Sequence, residues 1–220
     1  MSIKEYLDGK KAFIFDLDGT LIDSMGIWHN FLSEYLSKIN IVPPVDMLMR
    51  VKHMSLSQSS VYVKEYFSLD KSPEMIKKDW TDIIYDQYKN HICLKSGARR
   101  FLEYLKQNGK EIAIATANVD SVTMACLKNN KIDNLIDCYV FADEVKEGKD
   151  SPKIYLKALE KMNSDVIDAV LFEDIITAVY SANKINLDCI GIYDNYAKDE
   201  MPEMKRNCRY YLEDFNTIFE

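Results

Sequence analysis

The sequence predicts an α/β chain built on a parallel sheet with helices on its faces, interrupted early by a segment that is helical throughout. Three observations lead there. Short apolar runs without polar alternation recur along the chain, as strands buried on both faces require. After residue 96 these runs alternate with amphipathic helical patterns, the order of βαβ units. Between residues 24 and 94 no such run occurs, and the pattern is that of several helices.

The elements can be justified in order. Strands are expected at 12–15, 112–115, 139–141, 169–172, 189–192 and 210–212, each ending in polar or acidic residues. Amphipathic spacing predicts helices at 27–39 and 73–88 in the early segment. "ARRFLEYLKQNG" sets Phe101, Leu102 and Leu105 on one side and stops at Asn108-Gly109. "SPKIYLKALEKM" predicts a helix capped by Ser151, with Pro152 at its first helical position. The domain organisation expected is a core of residues 1–23 and 95–220 with an insertion at 24–94. The insertion carries eight basic and eight acidic residues and all three histidines, so the net charge of −7 lies wholly outside it.

Composition narrows the function classes. At 220 residues, 47% hydrophobic and 29% charged, the chain is an ordinary globular protein with material for a sizeable core. A net charge of −7 argues against a nucleic-acid polymer or an anionic membrane as partner, yet leaves room for a local positive site. Five scattered cysteines form no C-x-x-C pair, as reduced structural thiols would be distributed. "MSIKEYLDGKK" holds no apolar stretch of signal-peptide type, and no run is long enough to span a bilayer. A cytoplasmic monomer is expected.

The chemistry is concentrated at strand ends. "FIFDLDGTLIDS" places Asp16, Asp18 and Asp23 within eight positions, directly after a buried strand. Carboxylates that close repel and raise one another's pKa unless a cation or a proton intervenes. Thr116 follows the second run, in "IAIATAN", and Glu173-Asp174 follow "AVLF". In parallel sheets ligands bind beyond the carboxyl ends of the strands, so three strands would deliver oxygen ligands and a hydroxyl to one edge. Such a set suits a hard cation, Mg²⁺, between Asp16, Asp18 and Asp174.

"DLDGTLIDS", "ATAN", "GKDSP" and "FEDIITAVYSA" resemble the four ordered motifs of the haloacid dehalogenase-like phosphohydrolases. The nearest pattern is the helical-cap subfamily, with its β-phosphoglucomutase-like and phosphoglycolate phosphatase-like members. D-x-D-G-T is specific: chance would place it in on the order of a few per thousand chains of this length. The resemblance implies a Rossmann-like three-layer core with residues 24–94 as an inserted α-helical cap. It implies Asp16 as nucleophile, forming an aspartyl phosphate, and Asp18 as general acid and then base. Thr116, with Asn118 helping, and Lys149 would bind the phosphoryl group. Asp16, the backbone carbonyl of Asp18, and Asp174 would hold Mg²⁺, with Glu173 either a further ligand or a support. The substrate implied is a small phosphorylated metabolite.

Some positions depart from the pattern. Ile175 and Ala178 stand where many relatives have Ser and Gly, and Lys149-Asp150 replaces a common Lys-Pro pair. Aligned outward from "FDLDG", the cap-hinge His of the mutases falls on Trp28, and their cap Arg falls near Leu56. Losing both groups favours hydrolysis over a β-phosphoglucomutase-like mutation, with His29 and His53 as compensators in a shifted register. Dehalogenation has no need of the acid/base that Asp18 supplies. A non-catalytic regulatory protein keeping the fold would be expected to have lost Asp16, Asp18, Thr116, Lys149 or Asp174, and all are present. Trp28, Met25, Met54, Arg50, Lys52 and His53 are the expected cap lining.

Overall fold

The computed structural model describes residues 1–51 and 54–220 and every side chain among them except that of His29. The chain opens with α1 (Ile3–Asp8), where Ser2 and Glu5 cap reciprocally, and β1 (Ala12–Phe15). Then come α2 (Met25–Ser37), α3 (Val45–Val51), α4 (Leu56–Phe67) and α5 (Pro73–Asn90), with no strand among them in the described residues. Next are α6 (Ala98–Gln107), β2 (Glu111–Thr116), α7 (Asp120–Asn129), β3 (Cys138–Phe141) and the single turn α8 (Ala142–Val145). The chain closes with α9 (Lys153–Lys161), β4 (Ala169–Glu173), α10 (Ile176–Asn183), β5 (Cys189–Ile192), α11 (Met201–Asn207) and β6 (Tyr210–Leu212).

All six strands are parallel, in the order β3-β2-β1-β4-β5-β6. β1 is central, and the chain winds outward from it in both directions, which opens a crevice at the carboxyl ends of β1, β2 and β4. Side chains alternate across β1. Phe13 and Phe15 point to one face, where Phe15 stacks on Phe172 with centroids 4.7 Å apart and Phe101 and Phe215 close around them. Ala12 and Ile14 point to the other, where Ala113 and Ala115 leave room for α9 and α10. The result is a three-layer α/β core. Burying one such phenylalanine contributes roughly 1.5–3 kcal/mol.

The insertion is joined to this core by two chain crossings that run side by side. Ile22 pairs with Leu94, Asp23 N–H donates to Cys93 O at 3.0 Å, and Lys95 N–H donates to Leu21 O at 2.9 Å. α5 buries Ile76, Trp80, Ile84 and Tyr88 at four-residue spacing, and Phe31 and Tyr35 of α2 meet Trp80 edge-on.

Helix ends differ from expectation by a residue or two. α2 begins and ends two residues earlier than its periodicity suggested, and α5 runs two residues further. α9 starts at Lys153, so Pro152 flanks the helix while Ser151 Oγ accepts from Lys153 N–H at 3.4 Å. All five cysteines are free thiols. Among the described residues no helix is long and apolar enough to cross a membrane.

Candidate active site

Asp16 is the first residue beyond β1, and its N–H still donates to Phe172 O at 3.0 Å, so its position is fixed by the sheet. It is 1% exposed. Lys149, from the loop before α9, ion-pairs with Asp16 Oδ1 and lies 2.6 Å from Glu173 Oε1. Asp174 follows β4 and accepts from the buried Thr20 hydroxyl at 3.0 Å. One carboxylate oxygen from each of Asp16, Glu173 and Asp174 lies within 4.8 Å of the other two.

Three buried carboxylates thus face one buried ammonium. Burial pushes the Asp16 carboxyl well above its usual range; Lys149 opposes this, while Glu173, Asp174 and Asp18 add to it. Asp174 is pushed up to about 7, by burial first and then by Glu173. Burial disfavours the Lys149 ammonium, but Asp16 and Glu173 outweigh it and hold the pKa above the ordinary lysine range. Asp16 Oδ2 and Asp174 Oδ2 are buried without a hydrogen-bond partner among the described residues. Orphaned carboxylate oxygens in an excess of negative charge fit a hard divalent cation.

Glu173 is already occupied. Its Oε1 also accepts from the Tyr155 hydroxyl at 3.3 Å, and its Oε2 accepts the N–H groups of Asp174 at 3.1 Å and Ile175 at 3.5 Å. These contacts fit the supporting alternative. Ile175 has no side chain to cap α10, and Glu200 supplies the acceptor instead, taking Ile176 N–H at 2.8 Å.

The Asp18 carboxylate stands apart from the acidic cluster. Ser24 Oγ donates to Oδ1 at 2.7 Å and Trp28 Nε1 at 3.3 Å, and the Tyr88 hydroxyl donates to the same oxygen. Asn118 Nδ2 donates to Oδ2 at 3.2 Å. Burial and the charge of Asp18 raise the Tyr88 phenol well above its usual range, so it is a donor at neutral pH. Thr116 ends β2, buried, and its Oγ accepts from Asn118 N–H at 3.1 Å. Asp16, Asp18, Thr116, Asn118, Lys149, Glu173 and Asp174 are therefore gathered at one sheet edge.

Other expectations are corrected. Asp23 is exposed on the crossing segment and Asp18 stands apart, so the crowding joins Asp16 alone from that stretch to Glu173 and Asp174 at the end of β4. Arg50 is exposed, at the end of α3. Leu56 is a buried apolar residue opening α4. Met54 lines a groove of about 700 Å³ between α4 and the stretch from α8 to Asp150. Lys52 and His53 lie outside the described residues, as does the His29 side chain. Tyr88 was missed. Its spacing on α5 marked a packing residue, and nothing local indicated that its hydroxyl meets a carboxylate seventy positions away.

Comparison with known proteins follows the geometry. Residues 13–192 match the family model described as haloacid dehalogenase-like hydrolase. The chain belongs to the haloacid dehalogenase-like hydrolase family. A phosphorylated carbohydrates phosphatase of Thermotoga maritima is 26% identical over 180 residues, covering 82% of this chain and 83% of that protein. A haloacid dehalogenase-like hydrolase domain-containing protein of Arabidopsis thaliana is 31% identical over 223 residues, covering 86% and 70%. The fold of CbbY from Rhodobacter sphaeroides, crystallised with phosphate, superposes with a TM-score of 0.79 at 20% identity, over 94% of this chain and 95% of that one.

Proposed function

We propose that this haloacid dehalogenase-like protein is a Mg²⁺-dependent phosphatase that hydrolyses a small phosphomonoester through an aspartyl phosphate on Asp16. The observation that carries the reading is the pair of buried, unpartnered oxygens of Asp16 and Asp174 beside a single buried lysine. Asp16, Asp174 and the backbone carbonyl of Asp18 would hold Mg²⁺, which when bound supplies positive charge to the phosphoryl oxygens and keeps the carboxylates ionised.

The chain's own residues do the rest. An Asp16 oxygen attacks phosphorus, and the phosphorus–oxygen bond to the leaving group breaks. Asp18 gives that oxygen a proton, then takes one from the water that attacks phosphorus, and the bond from phosphorus to the Asp16 oxygen breaks, releasing inorganic phosphate and restoring the carboxylate. Lys149, anchored by Glu173, balances charge on the phosphoryl group, and Thr116 orients it. Positioning and charge stabilisation supply most of phosphoryl-transfer catalysis. Residues 24–94 act as a cap that excludes water and selects the leaving group.

The phosphatase named among the relatives supports hydrolysis. So does the site itself: Trp28 gives its N–H to Asp18, and Leu56 is apolar and buried, so neither offers a mutase's second phosphate a charged partner. The test is phosphate release from a panel of phosphomonoesters with Mg²⁺, for the wild type beside Asp16→Asn, with glucose 1-phosphate also followed to glucose 6-phosphate. Release that disappears in a folded Asp16→Asn is expected. Isomerisation without release would establish a mutase, and full activity in the variant would refute the nucleophile.

A further inference from the structure

Asp18 is held from two sides. The core contributes Asn118 to Oδ2. The inserted segment contributes Trp28 and Tyr88 to Oδ1, with Ser24 of the first crossing as a third donor to the same oxygen. Trp28 lies in the first turn of α2 and Tyr88 in the last turn of α5, so the two donors come from the two sequence ends of the insertion, which meet beside the crossings. Trp28 Nε1 also donates to the Tyr88 hydroxyl, and the two rings meet edge-on with centroids 6.3 Å apart.

Packing explains why this contact is specific. Tyr88 is 0% exposed and continues the apolar stripe Ile76, Trp80 and Ile84. A phenylalanine would serve that stripe as well. A buried hydroxyl is costly unless paired, and here its partners are Asp18 and Trp28. The oxygen therefore does something that the stripe does not need.

We propose that Tyr88, buttressed by Trp28, is a positioning residue that couples the orientation of Asp18 to the seating of the cap. The inference rests on the reading of Asp18 as acid and base. Three donors meet on Oδ1 and Asn118 holds Oδ2, so the plane of the carboxylate is set from both sides. α5 packs along α7 of the core in one continuous hydrophobic cluster, and that seating holds Tyr88, with Trp28 against it, on the carboxylate.

The test uses Tyr88→Phe, which removes one oxygen and keeps the ring. The kcat/KM values are measured for 4-nitrobenzyl phosphate, whose alkoxide leaves poorly without a proton, and for 2,4-dinitrophenyl phosphate, whose phenolate leaves unaided. This ratio reports phosphoryl transfer to Asp16 and is blind to the later role of Asp18 as base. General acid help is worth roughly 10²–10⁴-fold, so misalignment should cost the benzyl ester about tenfold or more and the dinitrophenyl ester less than about twofold. Trp28→Phe should show the same selectivity in smaller degree, and it keeps the question answerable if Tyr88→Phe misfolds. An equal loss on both esters would make Tyr88 a packing residue, and no loss on either would remove it from the reaction; both overturn the proposal. Asp18→Asn is run in parallel. Selectivity there but not in Tyr88→Phe overturns the positioning role alone, whereas none in Asp18→Asn overturns the acid assignment and this inference with it.

Discussion

Gly19 follows Asp18 at φ +83°, a backbone conformation that costs other residues about 1–2 kcal/mol. A Cβ there would come within 2.4 Å of Asp174 Oδ2 and 2.9 Å of Met25 Cγ. The glycine lets the loop after β1 run directly against the loop after β4, which is how residues over 150 positions apart come to share one site. Gly19→Ala should therefore act twice. Strain alone predicts a melting temperature lower by several degrees, since 1 kcal/mol is worth about 2–4 °C at this chain length. Displacing Asp174 should lower kcat on the best phosphomonoester by on the order of 10²-fold. Thermal melts and turnover on the same preparation check both, and an alanine variant with native activity would show that Asp174 need not stay where it is.

At the scale of elements, α8 and α4 meet through one carboxylate. Asp143 accepts from Ser55 Oγ at 2.9 Å, from Ser57 Oγ at 2.6 Å and from Lys77 of α5, tying the insertion to the core on the side away from the crossings. Burial works to raise the Asp143 pKa, but Lys77, Ser57 and Ser55 outweigh it and hold the carboxyl below its usual range. A lowered folded-state pKa means that the clasp is at full strength above the ordinary carboxylate value and is lost as the pH falls through the lowered one. Acidifying from pH 7 to 5 should leave it intact. The groups are partly exposed, so the global stability at stake is small, at most about 1 kcal/mol. Asp143→Ala should leave the melting temperature within a few degrees of wild type yet speed proteolysis at residues 22–24 and 92–95, where the chain crosses. Unchanged cleavage there would mean that Asp143 does not hold the cap.

For the whole molecule, the proposed Mg²⁺ site at the sheet edge predicts that stability depends on a cation. Anything bound by the folded chain and not by the unfolded one stabilises it, by about 2.7 kcal/mol at a hundred times its dissociation constant. Saturating Mg²⁺ should then raise the melting temperature by roughly 5–10 °C. A strong chelator should reverse the gain and silence activity together. Asp174→Asn should abolish the shift, because it neutralises a carboxylate that carries one of the two buried carboxylate oxygens without a partner among the described residues. Activity that survives the chelator, or a melting temperature indifferent to Mg²⁺, would remove the metal from the reaction.

Local rules reach a long way in this chain. The six strands were legible because each is a short apolar run, and burial on both faces needs no partner to be recognised. That Asp16, Asp18, Thr116, Lys149 and the Glu173-Asp174 pair gather at one sheet edge was legible because they stand in an ordered set of motifs at strand ends. Helix ends were less so: caps compete within a turn, and a hydroxyl such as Ser151 can serve the residue two places on. Asp23 was misjudged because sequence distance gives no direction, and its backbone leaves the site on the crossing to the insertion. The role of Glu173 stayed open in the sequence, since its contacts to Lys149, Tyr155 and the α10 turn exist only once β4 lies beside β1. Tyr88 marks the boundary most clearly. Periodicity determined that its ring is buried, because a helix face is local; that its hydroxyl meets Asp18 was decided by the tertiary structure, because only the folding of the insertion back over the sheet brings the end of α5 to the end of β1.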